Sequence, residues 1–368
     1  MRFPEFSGEW EMASLQDIAA INPKSDQLQN TFIYIDLEAV EKGELRKIQE
    51  IMREEAPSRA QRVINNNDIL FQCVRPYQKN NYIHKILNTS NQQWVASTGY
   101  AQIRTTESPN YIYHLLNTDG FNRKVMVRCT GSSYPAINSE DLATIRFYYT
   151  PDKKEQFKIS RLLDLIDERI ATQNKIIEDL KLLKSAISLN VLHSDTWEQF
   201  KIKDIAQIGR GRVISSIEIS QQKNPTYPVY SSQTSNDGIM GYLDDYMFEG
   251  EYISWTTDGA NAGTVFYRNG KFNCTNVCGL LKLIKGFDTH FVSLVLAEAT
   301  KKYVSINLAN PKLMNNTMGN IQICLPKLEE QKRISIVFRV LQRLWTVHNS
   351  LLTEYIKQKQ YLLSQMFI

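Results

Sequence analysis

Along two stretches of the chain, apolar residues recur at the spacing of a helix that buries one face. Leu163, Ile166, Ile170, Gln173, Ile177, Leu180, Lys184, Ile187 and Val191 follow one another by steps of three and four. That alternation keeps a stripe on one side of an α-helix, and coiled coils use it as a seam. Pro151 marks a boundary just ahead, and Asp152 with Glu155 has the spacing of a capping box, so the pattern predicts that a helix starts here. A second stripe, Phe338, Leu341, Trp345, His348, Leu352, Tyr355, Lys359, Leu362 and Met366, lies 175 residues further on, with polar interruptions at corresponding steps. Two long helices facing each other in antiparallel orientation are expected. A twofold relation between the halves would set Gln173 against Lys359 and Lys184 against His348.

The chain between these stripes shows short apolar runs broken by polar turns. FIYIDLEAV, RVINNNDILF and QQWVASTGYAQIR in the first half read as strands, as do YPVYSSQ, EYISWTT, GTVFYR and NVCGLLKLI in the second. Asn-Asp-Gly and glycine-rich turns punctuate the second set.

The two halves are copies. Trp10 opens WEMASLQDIAAI and Trp197 opens WEQFKIKDIAQI; Glu155-Gln156, Ile159 and Ser160 match Glu330-Gln331, Ile334 and Ser335. Just before those sites, GSSYPAINSEDLATI, ending at Ile145, parallels NLANPKLMNNTMGNI, ending at Ile321. At 368 residues the chain also exceeds what one hydrophobic core usually organises. The expectation is an α+β fold: two mixed α/β domains in pseudo-twofold repeat, joined by two long antiparallel coiled-coil helices. The first domain would span 1–150, a central helix 151–193, the second domain 194–325 and a distal helix 326–368.

Composition narrows the class. Hydrophobic residues make up 42% and charged residues 22%, which is ordinary for a globular protein. The longest apolar run is too short to span a membrane, and MRFPEFSGEWEM carries acids where a signal peptide has its apolar core. A cytoplasmic location follows as an expectation. The five cysteines form no disulfide-like ladder, and Cys274 and Cys278 lack the second pair or nearby histidine that zinc would need. A net charge of +4, from 43 Lys plus Arg against 39 Asp plus Glu, is too small to establish a polyanionic partner by itself.

Catalytic constellations are missing. There is no GxxxxGK loop, and Gly209-Arg210-Gly211 lacks the third glycine of a dinucleotide fingerprint. Asn224-Pro225-Thr226-Tyr227 resembles the Asn-Pro-Pro-Tyr loop of adenine methyltransferases but lacks the second proline and a glycine-rich cofactor loop. Asp152, Glu155 and Lys158 echo a metal-assisted nuclease site, although helix capping accounts for them better. His84, His114, His193, His290 and His348 show no helical pair and no obvious Ser or Cys partner. No catalytic centre, bound metal or bound cofactor is expected.

Both domains are rich in the donors and acceptors that read base edges and phosphates. In the first these are Arg59, Gln61 and Arg62; Arg75, Tyr77, Lys79, Asn80 and Asn81; and Ser132 and Ser133. In the second they are Arg210 and Arg212; Ser232, Gln233, Thr234 and Asn236; and Thr256, Thr257 and Asn261. Any one of these loops alone would be a solvated turn. Their recurrence in two repeated domains on a rigid spacer favours DNA reading.

With these motifs in view, the whole chain resembles the specificity subunits of type I restriction-modification systems. LPKLEEQKRI before the second helix, its worn copy YTPDKKEQFKI before the first, and DLIDERIATQNKIIEDLKLLKSAI carry the likeness. APSRAQRVINNNDILFQCVRPY, YPVYSSQTSNDGIMGYL and GEYISWTTDGANAGTVFYR are similar to recurrent segments of the family's target-recognition domains. Asn67 departs from the usual glycine before Asp68, whereas Gly250-Glu251 keeps it. The resemblance implies a non-catalytic subunit that binds bipartite double-stranded DNA, one half-site per domain. It also implies two modification (methyltransferase) partners and restriction/translocase subunits, with S-adenosylmethionine, ATP and Mg2+ held by those partners. A stand-alone two-domain DNA-binding protein and a coiled-coil scaffold that binds protein are the alternatives.

Overall fold

The opening motif of each half folds the same way. In the first, a strand (Glu11–Ser14) leads into a single helical turn (Leu15–Ile18) and a second strand (Ala19–Ile21). In the second, Glu198–Lys201, Ile202–Ile205 and Ala206–Arg210 do the same. Leu15, Ile18, Ile202 and Ile205 are buried, so the apolar positions of the motif anchor the turn while Asp17 accepts from the Ser14 backbone N–H at 2.7 Å. Each opening strand pairs antiparallel with the strand that closes its own half, Arg146–Tyr149 and Gln322–Leu325 respectively. The ends of each repeat therefore meet where a long helix begins.

The computed structural model describes residues 2–85, 92–192, 194, 196–305 and 310–367; His193 lies outside them. The chain divides into one unit formed by Met1–Lys175 with Asn349–Ile368 and another formed by Ile176–His348. These units do not coincide with the expected spans, because each takes in one end of both long helices, Lys153–Val191 and Leu328–Met366. The fold is α+β.

The first unit carries two four-stranded sheets. One runs in the order Gln49–Met52, Thr31–Ile35, Gln93–Ser97, Ala60–Ile64, and the other Ala19–Ile21, Tyr100–Thr105, Ile69–Gln72, Tyr82–Ile83. Its core packs Phe71, Tyr111, Leu116 and Phe121 against Ile159 and Leu163 of the central helix and Met366 of the distal one. The second unit carries a six-stranded sheet, Ala206–Arg210, Cys278–Leu283, Phe248–Thr256, Val265–Cys274, Tyr227–Tyr230, Ile239–Leu243. Trp255, Phe291, Leu296 and Leu313 pack there against Ile334 and Phe338, with Ile187 at the margin. The helices Pro109–Leu116, Asp119–Arg128 and Thr289–Ala299 were not marked by the strand-like reading of the sequence. Their apolar positions are spent on contacts with sheet and long helix together.

The conserved part of the repeat proves to be a clamp. Buried Gln156 accepts from the Ser108 N–H at 3.0 Å and donates to Thr150 O at 2.8 Å. Buried Gln331 accepts from the Asp288 N–H at 2.9 Å and donates to Pro326 O at 2.8 Å. Each glutamine thus ties the first turn of a long helix to the N-cap of a domain helix. Asp152 does cap the central helix, through the Lys154 N–H at 2.8 Å. Glu155 does not close the box: its carboxylate takes Arg2 at 2.6 Å and Thr150 Oγ1 at 2.6 Å. Two histidines add to the same junctions, His114 Nε2 lying 2.8 Å from Asp164 and His290 Nδ1 2.8 Å from Ser335 Oγ. The His290–Ser335 pair corrects the expectation that no histidine has a serine partner. Burial holds His290 neutral with its pKa near 4, and Ser335 is itself buried, so the pair is a packing contact.

Within each unit the long helices run antiparallel, but in another register than the sequence suggested. In the first, Lys359 Nζ lies 2.6 and 2.8 Å from the two oxygens of Asp167, and the Arg169 guanidinium lies over the Tyr355 ring. In the second, Lys184 Nζ donates to Gln342 Oε1 at 3.3 Å. Lys359 and Lys184 meet partners six positions earlier than Gln173 and His348. A slip of about one heptad keeps apolar layers opposed, and a carboxylate is a stronger partner for an ammonium than an amide is. Of the stripe residues, Lys184 is exposed; Leu163, Ile166, Ile177, Phe338, Leu341 and Met366 are buried. Ile170, Gln173, Leu180, Ile187, Val191, Trp345, His348, Leu352, Tyr355, Lys359 and Leu362 are intermediate.

Candidate nucleic-acid interface

In the first unit, the turn after strand Ile69–Gln72 and the loop Gly131–Tyr134 border a cleft of about 670 Å³. Arg59, Gln72, Arg75, Gln78 and Tyr134 line it. Arg75 takes a left-handed backbone conformation (φ 55°), which costs a non-glycine residue free energy and is held only where neighbours fix it. Its N–H donates to Pro135 O at 2.7 Å and its carbonyl accepts from Gln78 at 3.0 Å. The guanidinium lies 4.4 Å from the centre of the Tyr134 ring. Gln72 donates to Gln78 Oε1 at 2.9 Å and accepts from the Asn80 N–H at 3.1 Å.

Arg59, Arg62 and Arg75 form no ion pair among the described residues. Arg62 is half-buried, its Nε has no partner there, and desolvation draws its pKa below the usual arginine value. Exposed Gln61 donates to Ser58 O at 2.6 Å, and Tyr77, Ser132 and Ser133 are exposed. Other candidates are committed internally. Lys79 pairs with Asp119 at 2.5 Å, lowering that carboxyl's pKa, and Asn80 Oδ1 accepts from the Lys42 N–H at 2.9 Å. Asn81 is only 2% exposed and accepts from Gln72 N–H at 2.9 Å. It is a structural residue and not a surface donor, because a buried amide must satisfy its neighbours first.

In the second unit the candidate loops converge on the turn 275–277, which links strands Val265–Cys274 and Cys278–Leu283 across the strand Phe248–Thr256 that lies between them. Ser232 Oγ and Thr257 Oγ1 both donate to Val277 O, the latter at 2.7 Å. Arg210 reaches Asn276 O at 3.2 Å and Asn315 at 2.9 Å, and the Asn276 N–H donates to Arg212 O at 3.0 Å. Asn261 donates to Thr234 Oγ1 at 3.1 Å, joining a third loop to the second. Gln233 donates to Ile239 O at 2.6 Å, and Asn236 adopts a left-handed φ of 49° in the same turn. Arg212 is paired with Glu218, which lowers that acid's pKa. Thr256 and Thr257 are buried and hold backbone carbonyls, a correction to their reading as surface contacts.

Sequence reasoning missed Arg268. Only 6% exposed, it lies 3.6 Å from the centre of the Tyr230 ring and donates to Ser254 Oγ at 2.9 Å and Asp237 O at 2.7 Å. Burial lowers its pKa, and its hydrogen bonds fix the turn that presents Gln233 and Asn236. A charged residue inside the apolar run GTVFYR was the available signal. Among the described residues no group of three His, Cys, Asp or Glu could hold a metal ion, and no helix is long and apolar enough to cross a membrane.

Comparison with known proteins assigns the family. The type I restriction modification DNA specificity domain matches twice, over residues 7–182 and 194–357. S.MpnORF201P of Mycoplasma pneumoniae, named as a type I specificity subunit, is 38% identical over 198 residues, which make up 53% of this chain and 82% of that one. The specificity subunit of the type I restriction enzyme MpnII, from the same organism, is 43% identical over 150 residues, 40% of this chain and 44% of that one. The crystal structure of a type I restriction-modification S subunit from M. genitalium covers 98% of this chain and 96% of its own. Its TM-score is 0.71 at 14% identity, a likeness of fold alone. Two copies of the domain, nearly filling the chain, place this protein in the type I restriction-modification DNA specificity family, as a non-catalytic specificity subunit.

Proposed function

We propose that each unit reads one half of a bipartite double-stranded DNA site, while the long helices set the interval between the halves and dock two modification subunits. The target-recognition domains correspond to 1–150 and 194–325, and the spacers to 151–193 and 326–368. Restriction/translocase subunits join that assembly, which works in the cytoplasm. S-adenosylmethionine, ATP and Mg2+ belong to the partners.

The observation that carries this reading is that the repeat gathers polar loops in both units, around the Arg75 cleft in one and the Thr275–Val277 turn in the other. Those loops supply donors and acceptors for base edges, and unpaired arginines such as Arg59 and Arg62 supply charge for phosphates. The net charge of +4 leaves much of the phosphate neutralisation to partners. The test is a chimera that keeps the first domain and central helix and takes the second half from another family member, expressed with its modification subunit. Methylome sequencing should show a hybrid site with only one half changed. A change in both halves overturns independent reading.

A further inference from the structure

We infer that Arg75 reads the major-groove edge of a guanine in the half-site of the first unit, an inference that rests on the DNA-reading function proposed above. Four observations at one place support it. The backbone of Arg75 is in the left-handed region and is pinned by Pro135 O and the Gln78 N–H. Nothing about folding requires an arginine at such a position, since glycine adopts φ near 55° without strain. The guanidinium lies over the Tyr134 ring, 4.4 Å from its centre, which anchors its donor fork at the mouth of the cleft.

The neighbouring amides are largely engaged within the fold: Gln72 donates to Gln78 Oε1 and accepts from the Asn80 backbone N–H, Asn80 Oδ1 accepts from the Lys42 N–H, and Asn81 Oδ1 accepts from the Gln72 N–H. The Arg75 fork, like that of Arg59 in the same cleft, has no acceptor among the described residues, and only Arg75 is held by a strained backbone and an aromatic ring. Finally, Glu38 lines the same cleft, exposed and without an ion pair among the described residues. A carboxylate there would repel a phosphate, whereas it accepts the amino group of a cytosine. A planar fork anchored over a ring, beside an acid, matches guanine O6 and N7 with the paired cytosine's amine. A phosphate contact needs charge only and gains nothing from a strained, stacked arginine.

The experiment uses the full chain assembled with its modification subunit and a randomised duplex library, bound fragments being sequenced. Wild type defines the two half-sites. Arg75→Gly removes the fork at a position that suits glycine, so the variant should unfold at the same or a higher temperature. Its preference for guanine at one position of one half-site should fall about tenfold to hundredfold, a loss of about 1–3 kcal/mol. Arg75→Lys keeps the charge but not the fork and should lose most of the same preference. The other half-site should be unchanged in both variants. Uniform weakening across all sequences by Arg75→Gly, with recovery by Arg75→Lys, would make Arg75 a phosphate contact and overturn the inference while leaving half-site reading intact. An unchanged motif in both variants overturns it equally. A wild-type complex that selects no motif would instead overturn the DNA-reading proposal on which it rests.

Discussion

Replacing Gln331 by methionine tests whether the repeated glutamine really fastens domain to helix. Methionine has nearly the same length and is readily packed, so the change removes two hydrogen bonds while disturbing little volume. The Asp288 N–H and Pro326 O then lose partners at 2.9 and 2.8 Å. A buried polar group without a partner costs about 1–3 kcal/mol. Two such groups, offset by the easier burial of a thioether, give a loss of about 2–4 kcal/mol for the second unit. Hydrogen–deuterium exchange of the peptide spanning Asp288 and the start of helix Thr289–Ala299 should show loss of protection, and the urea midpoint should fall by about 1 M. Gln156→Met should do the same in the first unit, with a somewhat larger effect because Gln156 also donates to Glu107 at 2.6 Å. A loss under about 0.5 kcal/mol in both variants, with Asp288 still protected, would show that water replaces the side chain and that the glutamines are not a clamp.

Two other outcomes are expected. Burial lowers the pKa of His84 and of His290 from 6.5 to about 4. The folded chain therefore binds fewer protons than the unfolded one in that interval, and stability is full above about pH 6.5 and declines as pH falls toward 4, by at most about 3 kcal/mol per histidine. His84→Phe, packed on Trp94 as the imidazole now is, should flatten the decline in melting temperature between pH 6.5 and 5, and an unaltered slope would contradict this account. For the helix register, reversing the charges in Asp167→Lys and Lys359→Asp should cost up to about 1 kcal/mol singly and be largely recovered in the double variant; additive losses by urea denaturation would show that these two residues do not face each other.

Much of the architecture was legible because it is periodic or repeated. Steps of three and four, with the boundary residues ahead of them, marked Lys153–Val191 and Leu328–Met366 to within two residues of the expected spans 151–193 and 326–368, since a helix with one buried face carries that period. Strands such as Tyr227–Tyr230 and Cys278–Leu283 announced themselves through apolar runs between turns. Asn67, where glycine was expected, has φ 69°, and asparagine is among the few other residues that tolerate it. Helices Pro109–Leu116 and Thr289–Ala299 were missed because they span only 8 and 11 residues, too few turns for a stripe to repeat and be told from a short apolar run. The register failed for a different reason: apolar layers tolerate a heptad slip, and one ion pair, Asp167 with Lys359, decided between equals. In the loops, residue type could not separate a free donor from one consumed inside the fold. Arg75 and Asn81 are both polar residues of one segment, yet one is free and the other is buried.

That last distinction runs through the whole molecule. Several residues preserved between the halves, Gln156 and Gln331, Ser160 and Ser335, Ile145 and Ile321, are buried and sit where helix meets domain. The glutamines are directed at backbone groups that every copy of the fold must satisfy, so either half can drift elsewhere without losing its frame. Sheet architecture has drifted in that way, two four-stranded sheets in one unit and a six-stranded sheet in the other. The loops follow the sheets: one unit offers a cleft with free arginines, the other a turn knitted by Ser232, Thr257 and Arg210. A reader built this way can change the bases recognised by one half while leaving the clamp, the helix and the opposite half untouched. Independent half-sites are then a consequence of where hydrogen bonds are buried, because substitutions that alter reading need not touch the bonds that hold the fold.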